Sequence, residues 1–431
     1  MSELVVSVTM ILVLFLLLAG GLWVAMSLLG VAIAGMYFFT SQPIGDPMAL
    51  VIWDHASNWT LTALPLFIWM GEILLRTHVT KTMFSGLAPW VNALPGRLLH
   101  VNTIGCAIFA AACGSSAATC ATIGKLTIPE LRSRGYPDNI VVGSLAGPAT
   151  LGLLIPPSIT MIIYGVSAEV SIAKLFVAGI IPGVLLAGLF IFYTMIWSLL
   201  HPAAVPAYPV KMPFWSRVVE ARHLLPIVAL IGGVIGTIYS GIATPTEAAA
   251  VGVVGALILS ALDRSLTWSS FVSGISGATR LYAMIFFILA SSGFLTLAMA
   301  YIGLPRHLAG WIARMELAPW AFIIVLTILY AILGCFLEGV SIIVLTIAII
   351  LPTIEAMGFD LLWFGIYIVL VVEMAQITPP VGINLFIIQG LSGISLEKVS
   401  MYALPFFLLM LLMVALIYVF PQVVLWLPAN L

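Results

Sequence analysis

The chain has 431 residues, of which 63% are hydrophobic and 7% charged, with a mean hydropathy of +1.23 and a formal net charge of −1. Soluble domains carry about 25% charged residues, so a soluble fold is excluded, and no polar stretch is long enough to fold as a separate domain. The near-zero net charge also argues against nucleic acid as a partner.

A bilayer-crossing helix takes about 20 residues, so the length accommodates roughly a dozen membrane segments joined by short loops. The expected class is therefore an all-α polytopic membrane protein embedded in the lipid bilayer. Residues 4–19 and 22–39 are apolar, with Gly20-Gly21 between them, and read as two spans sharing a tight turn. No basic region precedes the first run and no cleavage site follows it, so it reads as a retained helix rather than a signal peptide. Residues 40–60, with Asp46, Asp54 and His55, read as a polar loop, and residues 61–75 as a third span. Residues 76–97 mix Arg76, Lys81 and Arg97 with Phe84, Trp90 and Val91, as an interfacial helix does.

The stretch GSSAATCATIG, residues 114–124, interrupts the next apolar run. Lys125, Pro129, Arg132 and Arg134 follow too soon for the chain to have crossed, so a re-entrant hairpin is expected with its tip at Gly114, Ser115 and Ser116. Irregular backbone at membrane depth survives only where protein or a watered cavity satisfies its N–H and C=O groups. GPATLGLLIPPS, residues 147–158, cannot be one continuous helix, because its prolines remove donors and clash with the preceding turn. It predicts a discontinuous span, followed by a span over residues 175–200 and a proline-rich basic connector over 201–222.

The second half repeats the plan. Residues 223–239 and 247–262 read as spans flanking the turn TPTE, with Pro245 as turn former and Thr246 as N-cap. Residues 263–280 read as an amphipathic segment and 281–302 as a span. The run over 320–334 is broken by CFLEGVS, residues 335–341, and the run over 361–377 by TPPVGIN, residues 378–384; residues 401–419 form the last span. Adding 223 to Pro129, Gly135, Pro156, Pro157 and Pro182 gives Pro352, Gly358, Pro379, Pro380 and Pro405. With an odd number of crossings per half, the second copy is expected to be inverted. If residues 76–97, 125–138, 201–222, 263–280 and 391–400 face the cytoplasm, they hold twelve of the fifteen lysines and arginines, as the positive-inside rule requires. Only Lys174, Arg306 and Arg314 then lie opposite, and both termini are placed outside.

Two hairpin tips and two broken helices are expected to meet near the midplane. Carbonyls freed at residues 147–151 and 375–378 suit Na⁺, a hard cation that takes several oxygens. Helix N-termini restarting after Pro157 and Pro380 suit a carboxylate. Ser115, Ser116, Thr119, Thr150, Thr378 and Asn384 add side-chain donors and acceptors; any one alone is as readily a helix-packing or back-bonding group. Glu338 lies at the second tip. Glu72, Glu247 and Glu373 are intramembrane acids, each readable as a proton relay or selectivity group or as a helix cap or the partner of a buried donor, and for Glu247 the capping role is preferred. His100 reads as a packed interfacial histidine, and Cys106, Cys113, Cys120 and Cys335 as buried apolar groups without metal-ligand spacing. No nucleophile–base set, nucleotide loop or metal-binding histidine pair is present, so the reading is not an enzyme and no organic cofactor is expected.

GSSAATCATIG with TIPELRSRGYP, GPATLGLLIPPSITMIIYG, ATPTEAAAVG and ITPPVGINLF together resemble the large membrane (M) subunit of tripartite ATP-independent periplasmic (TRAP) transporters, over nearly the whole chain. The resemblance implies an ion-transporter-superfamily fold of two inverted repeats in the bacterial inner membrane, with Na⁺-driven elevator transport of a small organic anion such as a C4-dicarboxylate, sialic acid or 2-oxo acid. It implies two partners, a small four-helix membrane Q subunit and a periplasmic solute-binding P subunit. Residues 1–97 and 223–319 would be scaffold helices. Residues 98–200 and 320–431 would each hold a hairpin, a broken helix and a closing span, with 201–222 as connector. Substrate would meet Ser115, Ser116, Thr150, Pro157, Ser158, Thr378, Pro380 and Asn384. Na⁺ would meet Gly114, Ser115, Gly147, Thr150, Glu338, Gly339, Ser341, Gln376, Thr378 and Gly382. Cys113, Cys120 and Gln376 depart from the family pattern. The alternatives are a stand-alone Na⁺/carboxylate symporter of the same superfamily, a passive channel, and a membrane scaffold without transport.

Overall fold

A computed structural model describes residues 3–77, 79–206, 213–303, 318–335, 337–380 and 382–430. Among these residues the chain is helical, with short turns and no strands, the arrangement in which each segment satisfies its own backbone inside a bilayer. Among the described residues, four helices are long and apolar enough to cross a membrane, and four bent helix pairs reach that length together.

Helices α1 (Glu3–Ala19) and α2 (Val24–Phe39) flank the expected turn, where Gly21 takes a left-handed φ of +79°. Residues 40–60 are not the loop expected. They hold α3 (Gly45–Ser57), which bends by 53° through a short 3₁₀ turn into α4 (Ala63–Leu75). The polar groups that suggested a loop sit at its ends, Asp46 in the first turn and His55 in the last, where the helix macrodipole favours them. Then come α5 (Val79–Val91), α6 (His100–Cys113) and α7 (Ser116–Ser133), the last two forming the expected hairpin. The broken span is α8 (Asp138–Ala149) and α9 (Leu151–Leu154), then α10 (Ile159–Ser167) after a 41° bend. The closing span is α11 (Ile172–Leu200).

In the second half, α12 (Phe214–Ala221) bends by 58° into α13 (Leu225–Tyr239), and α14 (Pro245–Leu262) follows. The cap of α14 is Thr244, not Thr246. Glu247 reaches back to the Thr244 backbone N–H at 2.8 Å, while the Thr244 hydroxyl accepts from the Glu247 N–H. This reciprocal box, with Pro245 in the first turn, satisfies two otherwise orphaned donors. The expected division between residues 263–280 and 281–302 is absent: α15 (Trp268–Ile302) is one helix of 35 residues. It contains no proline, and its early small residues pack on α4, where a Cβ on Gly277 would lie 2.8 Å from the Glu72 carboxylate. Glu72 itself pairs with Arg76 and lies outside the junction described below.

The chain continues through α16 (Pro319–Gly334), α17 (Gly339–Ala356), α18 (Leu361–Ala375), α19 (Ile383–Ser392) and α20 (Leu396–Val419) to α21 (Gln422–Ala429), a short helix not anticipated. The last span begins at Leu396 rather than 401. Lys211, Arg306 and Arg314 of the charge count lie outside the described residues, as do Phe336 in the second hairpin and Val381 in the second break.

The five paired positions occupy matching places. Pro129 and Pro352 lie within α7 and α17; Gly135 and Gly358 follow those helices at φ +87° and +75°; Pro182 and Pro405 lie within α11 and α20. The Pro156-Pro157 and Pro379-Pro380 bonds are both cis. Two groups of helices result. In one, α2 and α4 pack on α15, and α4 also on α14; in the other, α6–α11 pack with α18–α20. Every residue of α18 from Trp363 to Ala375 is buried. Apolar helices gain little from burial in lipid and associate by close packing; accordingly Gly143 and Gly147 let α8 approach Tyr402 and Phe406 of α20.

Candidate functional site

The first hairpin closes on the first break. Gly114 ends α6 in a left-handed conformation (φ +59°), and Ser115 turns extended to cap α7, its hydroxyl accepting from the Ala118 N–H. Ser158 caps α10 in the same way, accepting from the Met161 N–H. A Cβ on Gly114 would stand 2.9 Å from the Pro157 carbonyl oxygen and 3.3 Å from the Ile159 nitrogen. A Cβ on Gly152 would stand 2.5 Å from the Ser116 Cα. The N-termini of α7 and α10 therefore begin side by side, each with unpaired N–H groups and the positive end of its dipole. Both caps are neutral hydroxyls, so this is the anion-friendly side of the site.

The second hairpin closes on the second break. The Cys335 thiol donates to the Pro379 carbonyl at 3.2 Å. Glu338 stands at the N-cap of α17, its carboxylate turned toward the amides of Val340 and Ser341. A Cβ on Gly339 would meet Val372 at 2.8 Å and the Gln376 side-chain amide at 3.3 Å. Gly382 (φ +32°) precedes α19, and a Cβ there would meet the Thr378 and Gln376 carbonyl oxygens at 2.9 and 3.0 Å. The Thr378 hydroxyl donates to the Met374 carbonyl, and the Asn384 N–H to the Gln376 carbonyl at 3.2 Å.

The two halves also touch each other here. Leu153 of the first break lies against Gly339 of the second tip. Glu373, fully buried near the end of α18, faces the Ser116 hydroxyl and the Leu153 backbone N–H and lies within electrostatic reach of Glu338. The Cys120 thiol points to the Asn384 carbonyl at 3.8 Å. Among the described residues, neither Glu373 carboxylate oxygen and neither amide atom of the fully buried Asn384 side chain has a hydrogen-bond partner.

Of the expected site residues, the structure gathers Gly114, Ser115, Ser116, Pro157 and Ser158 on one side, and Glu338, Gly339, Ser341, Gln376, Thr378 and Gly382 on the other, with Asn384 beside α7. Pro380 is exposed. Gly147 and Thr150 are placed differently: Gly147 packs on Phe406, and the Thr150 hydroxyl donates to the Gly147 carbonyl at 2.6 Å and touches the Met410 sulfur. Both turn toward α20. Gly152 and Leu153, not singled out by the sequence, lie at its centre, as does Glu373, which the sequence marks as an intramembrane acid without a place in the site. The 223-residue offset carried a signal for Glu373, since it pairs Thr150 with Glu373 and Ser115 with Glu338.

A cavity of about 700 Å³ separates the two helix groups, with Asp54 and His55 of α3 and Ser292 and Thr296 of α15 facing Glu169 and Val344. The groups are also bridged: the Ser292 hydroxyl donates to the Val344 carbonyl at 2.5 Å.

Residues 11–423 match the family model described as tripartite ATP-independent periplasmic transporter, DctM component. The chain is 33% identical over 383 residues to the C4-dicarboxylate TRAP transporter large permease protein DctM of Pseudomonas aeruginosa, covering 88% of this chain and 89% of that protein. It is 32% identical over 399 residues to the isethionate TRAP transporter permease protein DctMQ of Oleidesulfovibrio alaskensis, covering 92% of this chain and 62% of that longer protein. In fold it is similar to the crystal structure of the Alcanivorax borkumensis YdaH transporter, with a TM-score of 0.62, 13% identity, and 95% of this chain and 97% of that chain covered.

Proposed function

This chain belongs to the DctM-component family of tripartite ATP-independent periplasmic transporters, and from that premise we propose that it is the large permease of a Na⁺-coupled uptake system for a small organic anion. The observation that carries the proposal is the meeting of two hairpin tips and two helix breaks at one buried junction. Neutral-capped N-termini at Ser115 and Ser158 suit the carboxylate or sulfonate of a substrate. The carbonyls around Gly382, with Glu338, suit Na⁺. The relatives named for a C4-dicarboxylate and for isethionate support an anionic substrate.

Each Na⁺ moving inward gains about 2.3 kcal/mol per 100 mV of membrane potential, before any concentration gradient. Two or more ions concentrate an anion strongly without ATP. The matched breaks support two repeats of inverted orientation, and the cavity between the helix groups supports an elevator, with α2, α4, α14 and α15 as scaffold and α6–α11 and α16–α20 as the moving part. The chain lies in a bacterial inner membrane, receives substrate from a periplasmic solute-binding P subunit, and works with a small Q subunit. The relative named DctMQ, longer than this chain, supports that last pairing.

The test is uptake into proteoliposomes of a panel of carboxylates and sulfonates, with and without the binding protein and an inward Na⁺ gradient. Uptake that requires both is expected. Uptake with Na⁺ alone would replace the tripartite reading with a stand-alone symporter. Uptake indifferent to Na⁺ would remove the coupling. Cross-linking α15 to α17 is expected to stop uptake while substrate binding persists; uptake through the cross-link would sink the elevator.

A further inference from the structure

We propose that Glu373 is a charged ligand of a coupling Na⁺, in a site closed by the Ser116 hydroxyl of the opposite hairpin. The inference rests on the sodium-coupled reading and adds a residue outside the set of tip and break residues from which that reading was built.

Glu373 is fully buried; the Ser116 hydroxyl and the Leu153 N–H face it, yet among the described residues neither of its oxygens is met in hydrogen-bonding geometry. Nor does any ion pair among the described residues involve Glu373 or Glu338. A carboxyl buried this deeply without a counter-charge holds its charge only when a cation neutralises it and otherwise takes a proton, and an acid in a membrane segment is by default a functional group. No positive side chain faces Glu373: the Ser116 hydroxyl and the Leu153 N–H are directed at it, and Glu338 lies within electrostatic reach. Two carboxylates within reach of one another make this edge of the junction attractive to a cation, beside the Ser115 and Ser158 caps that suit the anion. Na⁺ fits because the donors are hard oxygens, two from the carboxylate and one from the hydroxyl, at the edge of a junction that also holds the Gln376 side chain and the unpartnered amide of Asn384.

The comparison of the halves points the same way. The offset that pairs the prolines also pairs Thr150 with Glu373 and Ser115 with Glu338. In the first half both positions hold hydroxyls, and both are used locally: Thr150 bonds the Gly147 carbonyl and Ser115 caps α7. In the second half both hold carboxylates. Matched backbone positions thus carry opposite chemistry, with the negative charge concentrated in the second half. Because Glu373 projects to Ser116, the ion it binds spans the two halves and ties the first hairpin to the second break. Such an ion orders the substrate side only when it is bound, which is what coupling requires.

The test uses the full chain in nanodiscs, with thermal stability measured as NaCl replaces choline chloride at constant ionic strength. The wild type is expected to gain stability as Na⁺ rises. Glu373→Gln, which keeps the shape but cannot carry a charge, is expected to be at least as stable as the wild type in choline, because no buried acid then has to be kept neutral or paired. It should also raise the Na⁺ concentration for half-maximal stabilisation by at least about tenfold, as loss of a charge-assisted contact implies. Ser116→Ala should raise it several-fold in an otherwise stable protein. If Glu373→Gln is less stable than the wild type in choline, or fails to fold, its role is structural; if its Na⁺ midpoint is unchanged, or Ser116→Ala leaves the midpoint unchanged, the shared ion is not there. Each result overturns the assignment while leaving sodium coupling standing. A wild type indifferent to Na⁺ would remove both.

Discussion

Gly114 and Pro157 lie in contact where two separate parts of the chain both leave helical geometry: a Cβ on Gly114 would stand 2.9 Å from the Pro157 carbonyl oxygen. The left-handed φ of +59° at Gly114 turns α6 into α7 at that point. Gly114→Ala therefore meets both a disfavoured backbone conformation and a carbonyl that cannot withdraw without moving the break. A loss of about 1–3 kcal/mol is expected, together with strongly reduced uptake. Thermal unfolding and proteoliposome uptake measure the two effects. A variant with wild-type stability would show that the tip and the break separate freely.

A sharper contrast separates Gly152 from Gly188. The Cβ of an alanine at 152 would lie 2.5 Å from the Ser116 Cα and 2.6 Å from its nitrogen, and these are backbone atoms that no rotamer change can remove. Gly152→Ala is expected to cost about 3 kcal/mol or more, or to displace the first hairpin. Gly188, within α11, has nothing within 4 Å of an added Cβ. Gly188→Ala is expected to stabilise by about 0.5–1 kcal/mol. Melting temperatures of the two variants, measured side by side, check the sign of each.

The box between Thr244 and Glu247 starts α14. Thr244→Ala is expected to cost about 1 kcal/mol, and Glu247→Ala a similar amount. The double variant should cost less than the sum, because the two groups cap each other. A double-mutant cycle on thermal stability gives the coupling. Transport should be retained in all three, since neither residue lies at the junction. Loss of uptake in a stable Glu247→Ala protein would assign this acid a transport role instead.

Inside the second hairpin the Tyr330 hydroxyl bonds Thr346 at 2.9 Å across the two arms. Thr346 also donates to the Ile342 carbonyl, so Tyr330→Phe leaves it partnered. The expected cost is only about 0.5–1.5 kcal/mol. If the arms part during transport, the variant should change the uptake rate more than the stability; equal effects on both would make the pair a static clamp.

Much of the architecture was legible in the sequence because breaks in membrane helices are chemically conspicuous. Glycine, serine and paired prolines in apolar surroundings stand out, and a constant spacing between them exposes a duplicated plan. Residues 40–60 resemble a loop in the sequence because Asp46, Asp54 and His55 are polar, whereas in the structure Asp46 and His55 sit at the ends of α3, where polar groups are suited. The long α15 was divided at a change of polarity that turned out to be a packing face on α4. The expected cap Thr246 lies two residues past the actual one, because Thr244-Pro245 and Thr246-Glu247 offer two hydroxyls and only backbone geometry selects between them.

The sites divide in the same way. Gly114, Ser115, Ser158 and Glu338 were visible as residues at interruptions, and they stand at helix ends in the structure. Gly147 and Thr150 were equally visible yet face α20, because a helix break states where hydrogen bonding is interrupted and not which way the flanking side chains point. Glu373 lay in the run VVEMA, two residues short of the end of α18, with no local signal beyond its charge. Composition and spacing alone settled that this is a membrane protein with hairpins and broken helices at defined positions, since those properties follow from hydropathy and from backbone chemistry within a few residues. Which of the interruptions meet, and that Glu373 faces Ser116 more than 250 residues away in the chain, depends on helices packing side to side, and that is fixed by long-range contacts that no local pattern encodes.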